Sequence, residues 1–390
     1  MLFSDNITIL EVNSTTLRLV QLKKRESNFY PIYTKVEKYD GIVKGMLVKP
    51  DQLFSTIQNM IYNMQQSISI SVKKIFIILP QIFFGGVVED CDVAVSGNLV
   101  SQIDINLLCS KCRKVISGHT IIDCVPVKFK TINDPVLENP IGQSCERLYG
   151  QVATISLDTK IKEFYDNVAK NVNKKFVYVC ENSAIAYLLD ESLKLTSKLR
   201  CLVTVREEYS SVSLVSGKAI LSSKNINWGA LHIIRVIQDL LQVNEEVATK
   251  LSKKLNLNVI CHEANQYVLN YKNNVYKFSM KEVNDRVIQT LEYIFGQIAK
   301  LSAEYFKEEN NNIPIYLTGH DICQIKGVAE ILSASMDSTM AITINPNLLE
   351  FNTQSDYPLV GVIEKESQRL TQNSLQGKMS IFFRRIKNGY

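Results

Sequence analysis

Two hairpins of β-forming residues, well separated along the chain, restrict the fold more than any other feature. Residues 7–12 and 16–20 cluster Ile, Leu, Val and Thr around Asn13-Ser14-Thr15, which predicts an opening strand–turn–strand. A second strand pair flanks Ser216-Gly217-Lys218, in a sheet that begins near Leu199, with the glycine suited to a tight hairpin turn. Each hairpin leads into helical spacing and then another strand. After the first, Pro50 opens a helix with Leu53, Ile57, Met60, Ile61 and Met64 on one side, followed by the strand 74–79. After the second, residues 230–309 are mostly helical, broken by a strand pair at 267–278 whose Asn273-Asn274 is turn material. The strand 313–318, a glycine turn and a helix to Met336 follow. This order is that of a doubled α/β fold, and 390 residues suit two lobes of about 150–200 residues each.

Between the strand at 74–79 and the helical patterns at 160–173 and 182–195, the texture changes. Short strands at 121–127 and 152–157 surround one helix, about 102–116, with a Pro- and Gly-punctuated loop at 133–142. That segment reads as an inserted subdomain. Hydrophobic residues make up 46% and charged residues 21%, values of a folded, water-soluble chain. No run reaches the roughly 18 apolar residues of a spanning helix, and the start lacks a basic signal, so the chain is expected in the cytosol. The nine cysteines, an odd number, read as reduced thiols. Cys109-Ser110-Lys111-Cys112 has no second close pair of matching spacing, which points to buried free thiols and no metal. The four histidines form no ligand motif, no G-x-S-x-G turn occurs, and no catalytic residue is assigned. A net charge of +5, with acids and bases interleaved, gives no nucleic-acid footprint.

The last residues, 378–390, have a different character. At 100° per residue Met379, Phe382, Phe383 and Ile386 fall in one stripe, with Lys378, Arg384, Arg385 and Lys387 outside it and Ile381 on the wrong side. A cationic amphipathic helix of this kind lies in the headgroup plane of anionic lipid, each basic residue adding about 1 kcal/mol. Met379, Phe382, Phe383, Arg384, Arg385, Ile386 and Lys387 are therefore the expected membrane-binding residues.

Four stretches resemble the FtsA family of bacterial division proteins, in that family's order. They are residues 41–48 (Gly-Ile-Val-Lys-Gly-Met-Leu-Val), 95–104 (beginning Val-Ser-Gly), 137–148 (containing Asn139-Pro140-Ile141-Gly142), and Tyr316-Leu317-Thr318-Gly319 with 325–329. The resemblance implies an α/β, actin-like (actin/Hsp70 ATPase-type) two-lobed fold with an FtsA-type inserted subdomain in the first lobe. On that reading the first lobe is 1–80 plus 158–198, the insert 81–157, and the second lobe 199–229 plus 313–363. The second lobe's helical subdomain is 230–312, a linker runs over 364–377, and 378–390 is the membrane helix. The implied role is an adaptor on the cytoplasmic face of the inner membrane at the division site. It would tether FtsZ filaments through their C-terminal peptide, self-associate into polymers, and recruit later division proteins. A PilM-like pilus-assembly protein, or an ATP-binding polymerising ATPase, are the alternatives within the fold.

The resemblance also implies ATP with Mg²⁺ between the lobes, and there this chain departs from the pattern. The family's first phosphate hairpin resembles Glu11-Val12-Asn13-Ser14, followed by Thr15, with Asn where glycine is expected; Asn tolerates left-handed geometry. Its second, glycine-rich hairpin corresponds to residues 204–211, where Arg206, Glu207 and Glu208 stand instead. Gly319 is kept, but His320 and Asp321 replace the following glycines, while Glu246, Ala248 and Lys250 resemble the adenosine-side helix. Glu11, Asn13, Ser14, Thr15, Glu246, Lys250 and Gly319 are thus the remnants of a degenerate nucleotide site, and no ATP hydrolysis is expected. A rearranged alternative has Arg206 on phosphate and Glu11 on the metal. Trp228, beside Gly229, is expected to plug the core or the cleft, and Arg235, Arg286, Lys300 and Lys307 are available to the FtsZ peptide.

Overall fold

The computed structural model describes residues 6–25, 28–39, 41–43, 45–68, 72–97, 99–131, 139–193, 199–306, 313–337, 341–343 and 354–373. Strands β1 (Asn6–Val12), β2 (Thr16–Arg25) and β3 (Asn28–Lys38) form an antiparallel meander, with Leu10 opposite Leu19 and Val12 opposite Leu17. The two-residue strands β4 (Ile42–Val43) and β5 (Met46–Leu47) pair across Gly45 and lead to helix α1 (Pro50–Ser67). This helix buries Leu53, Ile57, Met60, Ile61 and Met64, the stripe expected from their spacing. Strand β6 (Lys74–Leu79) then lies parallel to β1.

The insert follows as β7 (Phe84–Ala94), α2 (Gln102–Lys111), β8 (His119–Lys130) and β9 (Arg147–Asp158), an antiparallel sheet in the order β7-β9-β8. Its helix stops at Lys111 rather than near 116, and β7 is a long strand that the sequence pattern did not single out. The chain returns through α3 (Thr159–Asn171) to β10 (Lys175–Cys180), parallel to β6, and to α4 (Glu181–Leu193). The first sheet has the order β10-β6-β1-β2-β3.

The second half repeats this plan. Strands β11 (Leu199–Val205), β12 (Ser210–Ser216) and β13 (Ala219–Ile226) form the meander. Next come α5 (Ala230–Leu241), α6 (Glu245–Ser252), the hairpin β14 (Gln266–Tyr271) and β15 (Asn274–Ser279), and α7 (Met280–Phe306). Strand β16 (Ile315–Gly319) is parallel to β11, and after α8 (Val328–Ser335), β17 (Ala341–Thr343) is parallel to β16. The resulting order, β13-β12-β11-β16-β17, has the connectivity of the first sheet: meander, then two parallel strands reached through helices. The turn of the β14–β15 hairpin is Lys272-Asn273, both at positive φ, one residue earlier than the sequence indicated.

Helix α9 (Tyr357–Asn373) corrects two boundaries. Residues 364–373, expected in the linker 364–377, continue this helix, and residues 374–377 lie outside the described residues. The polar composition misled because it anchors the helix: Glu366 is buried and takes Lys74 Nζ at 3.3 Å and Arg369 Nε at 2.8 Å. Nor do residues 357–363 belong to the second lobe alone. Tyr357, Leu359, Val360, Val362 and Ile363 share one core with Ile7, Ile9, Phe76 and Ile78 of the first sheet, Ile185 and Leu189 of α4, and Leu202 and Tyr316 of the second sheet. The two helices cross so tightly that a Cβ at Gly361 would lie 2.0 Å from the carbonyl oxygen of Ala184. The lobes are thus joined by a shared hydrophobic layer, with separate cores on their outer sides.

Candidate functional site between the lobes

The turns at the ends of β1 and β11, the residues after β16 and the start of α4 converge on one cleft, because both sheets present the same ends of their parallel strands there. It encloses a cavity of about 270 Å³ lined by Glu11, Asn13, Thr16, Arg18, Val36, Arg206, Glu207, His320, Asp321 and Ser355. In an open α/β sheet this is the expected position for a ligand.

Two buried ion-pair groups fill its walls. Arg18 stands opposite Glu11 in the β1–β2 register and donates from Nε to Glu11 Oε2 at 2.8 Å, while its other end meets the Asp356 carboxylate. Deeper, Arg206 donates from Nε to Glu181 Oε2 at 2.7 Å, both side chains being almost wholly buried. Glu181 Oε1 accepts from Gln81 N at 2.8 Å and from the Tyr209 hydroxyl. Burial alone would lower the Arg206 pKa, but Glu181, Tyr209, Glu11 and Glu207 together outweigh it and hold the guanidinium charged; burial, with Glu181, raises Tyr209 well above its ordinary value. Glu11 Oε1 and Glu207 Oε2 are buried with no hydrogen-bond partner.

The backbone donors of the turns are engaged internally. Arg206 N bonds Tyr209 O at 2.8 Å, His320 N bonds Val205 O at 2.7 Å, and Asn13 N bonds Thr16 O at 2.9 Å. The first N–H groups of α5, from Ala230 and Leu231, bond the carbonyls of Arg206 and Glu207, each at 2.8 Å. Gly229 permits this seat, since a Cβ there would lie 2.3 Å from Arg206 O.

Of the residues expected at the site, Glu11 and Asn13 line the cavity, but Asn13 is not among the positive-φ residues, so the left-handed geometry anticipated for it is not adopted. Ser14 is buried beside the turn and Thr15 O accepts from Tyr39 N; neither lines the cavity. Gly319 borders the cleft for a different reason: at φ +121°, its missing Cβ would lie 2.0 Å from Val205 O. Glu246 and Lys250 are directed to the β14–β15 hairpin, where Glu246 pairs with Lys272 at 3.1 Å and Lys250 lies over the Tyr271 ring. Arg206 contacts Glu181. Arg18, Glu181 and Asp356 were missed; a symmetric hairpin around residues 13–16 already sets Arg18 across from Glu11.

Trp228 plugs neither core nor cleft. Its carbonyl takes Ser210 Oγ at 2.7 Å, and its ring faces outward, 36% exposed, against His232 and Tyr293. The expected peptide-binding cations are not gathered: Arg286 and Lys300 are exposed on α7, about 21 Å apart at 1.5 Å per residue. Arg235 lies 4.0 Å from Glu208, and Lys307 is outside the described residues, as are 378–390. No described helix is long and apolar enough to cross a membrane.

His320 gives the cleft a pH signature. Its Nδ1 accepts from Ile322 N at 3.2 Å, and burial lowers its pKa below the ordinary 6.5, with Glu207 and Asp321 opposing and Lys253 and Arg206 assisting. Its contribution to stability is therefore present above pH 6.5 and is lost as pH falls through the lower folded value, because the unfolded chain then binds the extra proton. His320→Gln, which keeps an acceptor, should flatten that part of the urea-midpoint profile below pH 6.5; an unchanged profile contradicts the assignment.

No family model matches the chain, and no curated protein does. Solved structures do. A PilM–PilN type IV pilus biogenesis complex aligns at 12% identity over 93% of this chain and 98% of that one, with a TM-score of 0.58. MreB5 of Spiroplasma citri bound to ADP aligns at 10% identity over 95% and 99%, with a TM-score of 0.55. The chain has the actin-like ATPase fold.

Proposed function

We propose that this actin-like chain is a non-hydrolysing adaptor of the FtsA kind, which tethers FtsZ filaments to the cytoplasmic membrane, self-associates into polymers and recruits later division proteins. The observation that carries the non-hydrolysing part is the Arg206–Glu181–Tyr209 cluster, built on the 204–211 turn that resembles the second phosphate hairpin. A triphosphate needs converging N–H donors and small residues. The N–H groups of Asn13, Arg206 and His320 are engaged internally, and the cavity lining carries Glu11, Glu207 and Asp321 against two guanidiniums already paired. The donor set does not fit ATP with Mg²⁺. Calorimetric titration with Mg-ATP should give no saturable heat up to millimolar nucleotide; micromolar affinity with turnover overturns this part.

The tethering part is supported by the cationic, aromatic stripe of 378–390. Deleting those residues, or Phe382→Glu with Phe383→Glu, should abolish co-sedimentation with acidic liposomes while leaving the thermal midpoint unchanged. Retained co-sedimentation refutes the tether. In dividing cells the tagged chain should form a midcell ring that needs the same residues. A second reading, a pilus-assembly adaptor, is favoured by the likeness to the PilM–PilN complex along 98% of that chain; it predicts a focus at pili and no ring.

A further inference from the structure

The insert holds a group of thiols that the adaptor reading leaves without a role. Glu89, Cys91 and Cys124 pair across β9 with Val152, Gly150 and Thr154, alternate positions on the sheet face that α2 covers. Helix and sheet meet closely there: a Cβ at Gly150 would lie 2.7 Å from Leu108 Cδ2. That approach brings Cys112, at the end of α2, to Cys91, their sulfurs 2.9 Å apart. Those two sulfurs and a Glu89 oxygen all lie within 4.8 Å of one another. The Glu89 carboxylate is held in place through Oε2, which accepts from Arg113 N and Lys114 N at 2.9 Å each. Cys124 is near enough to Cys91, Cys112 and Glu89 for their charges to act on one another.

We propose that Cys91, Cys112 and Glu89 bind one divalent cation of the zinc class. Thiolates and a carboxylate in near-tetrahedral array are the donor set of that ion, with metal–sulfur distances of about 2.3 Å and so sulfurs about 3.8 Å apart. Cys91 and Cys112 reach that spacing by opening about 1 Å. A divalent charge stabilises the thiolates, and binding releases their protons to solvent. Arg113 offsets part of the remaining negative charge, acting on Cys124. Cys91, Cys124 and Glu89 are only half-buried, which leaves an entry path. The Cys109–Cys112 pair alone lacked a partner pair in sequence; β7 brings Cys91 and Glu89 to Cys112 from an earlier part of the chain.

The test uses the full chain purified under mild reduction. Elemental analysis should find one zinc per chain, and cobalt(II) added to metal-free protein should give a thiolate-to-metal charge-transfer band. Cys112→Ser and Cys91→Ser should each lower zinc affinity at least tenfold, and Cys145→Ser, in the same subdomain but outside the group, should not. Metal-free protein with all thiols titratable overturns the proposal. So does a mass lower by two hydrogens under non-reducing conditions, which would identify a Cys91–Cys112 disulfide instead.

Discussion

Arg206→Ala should lower the unfolding free energy by about 3–5 kcal/mol, read as a large fall in the urea midpoint. The size follows from what remains behind. Glu181 would be left without its cation in a site almost closed to water, with the Gln81 amide and the Tyr209 hydroxyl as its donors among the described residues. Neutralising both ends should recover much of the loss, because a buried ion pair is often no better than an apolar pair of the same shape. The double variant Arg206→Met with Glu181→Gln should therefore unfold closer to the parent than Arg206→Ala does. If Arg206→Ala unfolds within about 1 kcal/mol of the parent, the pair is as dispensable as an exposed one, and the cluster described in the cleft is not what holds it.

Gly319→Ala should be comparably severe, about 2–5 kcal/mol, from two sources. Left-handed backbone strains a Cβ-bearing residue by about 1–2 kcal/mol, and overpacking adds about 1–3 kcal/mol more. Here the obstacle is backbone, Val205 O at 2.0 Å, in a strand paired with β16 that has little room to give. Gly118→Ala isolates the first source, since Gly118 has φ +76° and nothing within 4 Å of its Cβ position. Equal losses in the two variants would show that the β11–β16 approach is not the constraint. The comparison also distinguishes a glycine kept for a phosphate from one kept for a strand contact.

Much of the architecture was legible because local patterns carried it. The Leu53 to Met64 stripe, the hairpin around residues 13–16 and the Gly217 turn each specify an element through periodicity or turn chemistry. What stayed hidden depends on residues distant in sequence. Helix α9 looked like a linker because Glu366 is polar, and only the fold supplies Lys74 as its partner, 292 positions away. Glu181 gave no signal because its partner Arg206 comes from the other lobe. Trp228 was misplaced since apolar character does not tell which side of a strand end a ring will take. At the cleft, comparison with a glycine-rich pattern found the altered turn at 204–211 but not what the new side chains do. The approach of Cys91 to Cys112 escaped for the same reason as Glu181.

The way α9 is fastened sets how a pull on the chain beyond Asn373 would be transmitted. Tension there enters a helix clamped to the first sheet by the Glu366–Lys74 bond and wedged against α4 at Gly361. The same helix shares one buried layer with Leu202 and Tyr316 of the second sheet. Traction from a lipid surface would thus act as a lever on the seam itself, shearing one lobe past the other rather than peeling a loose tail.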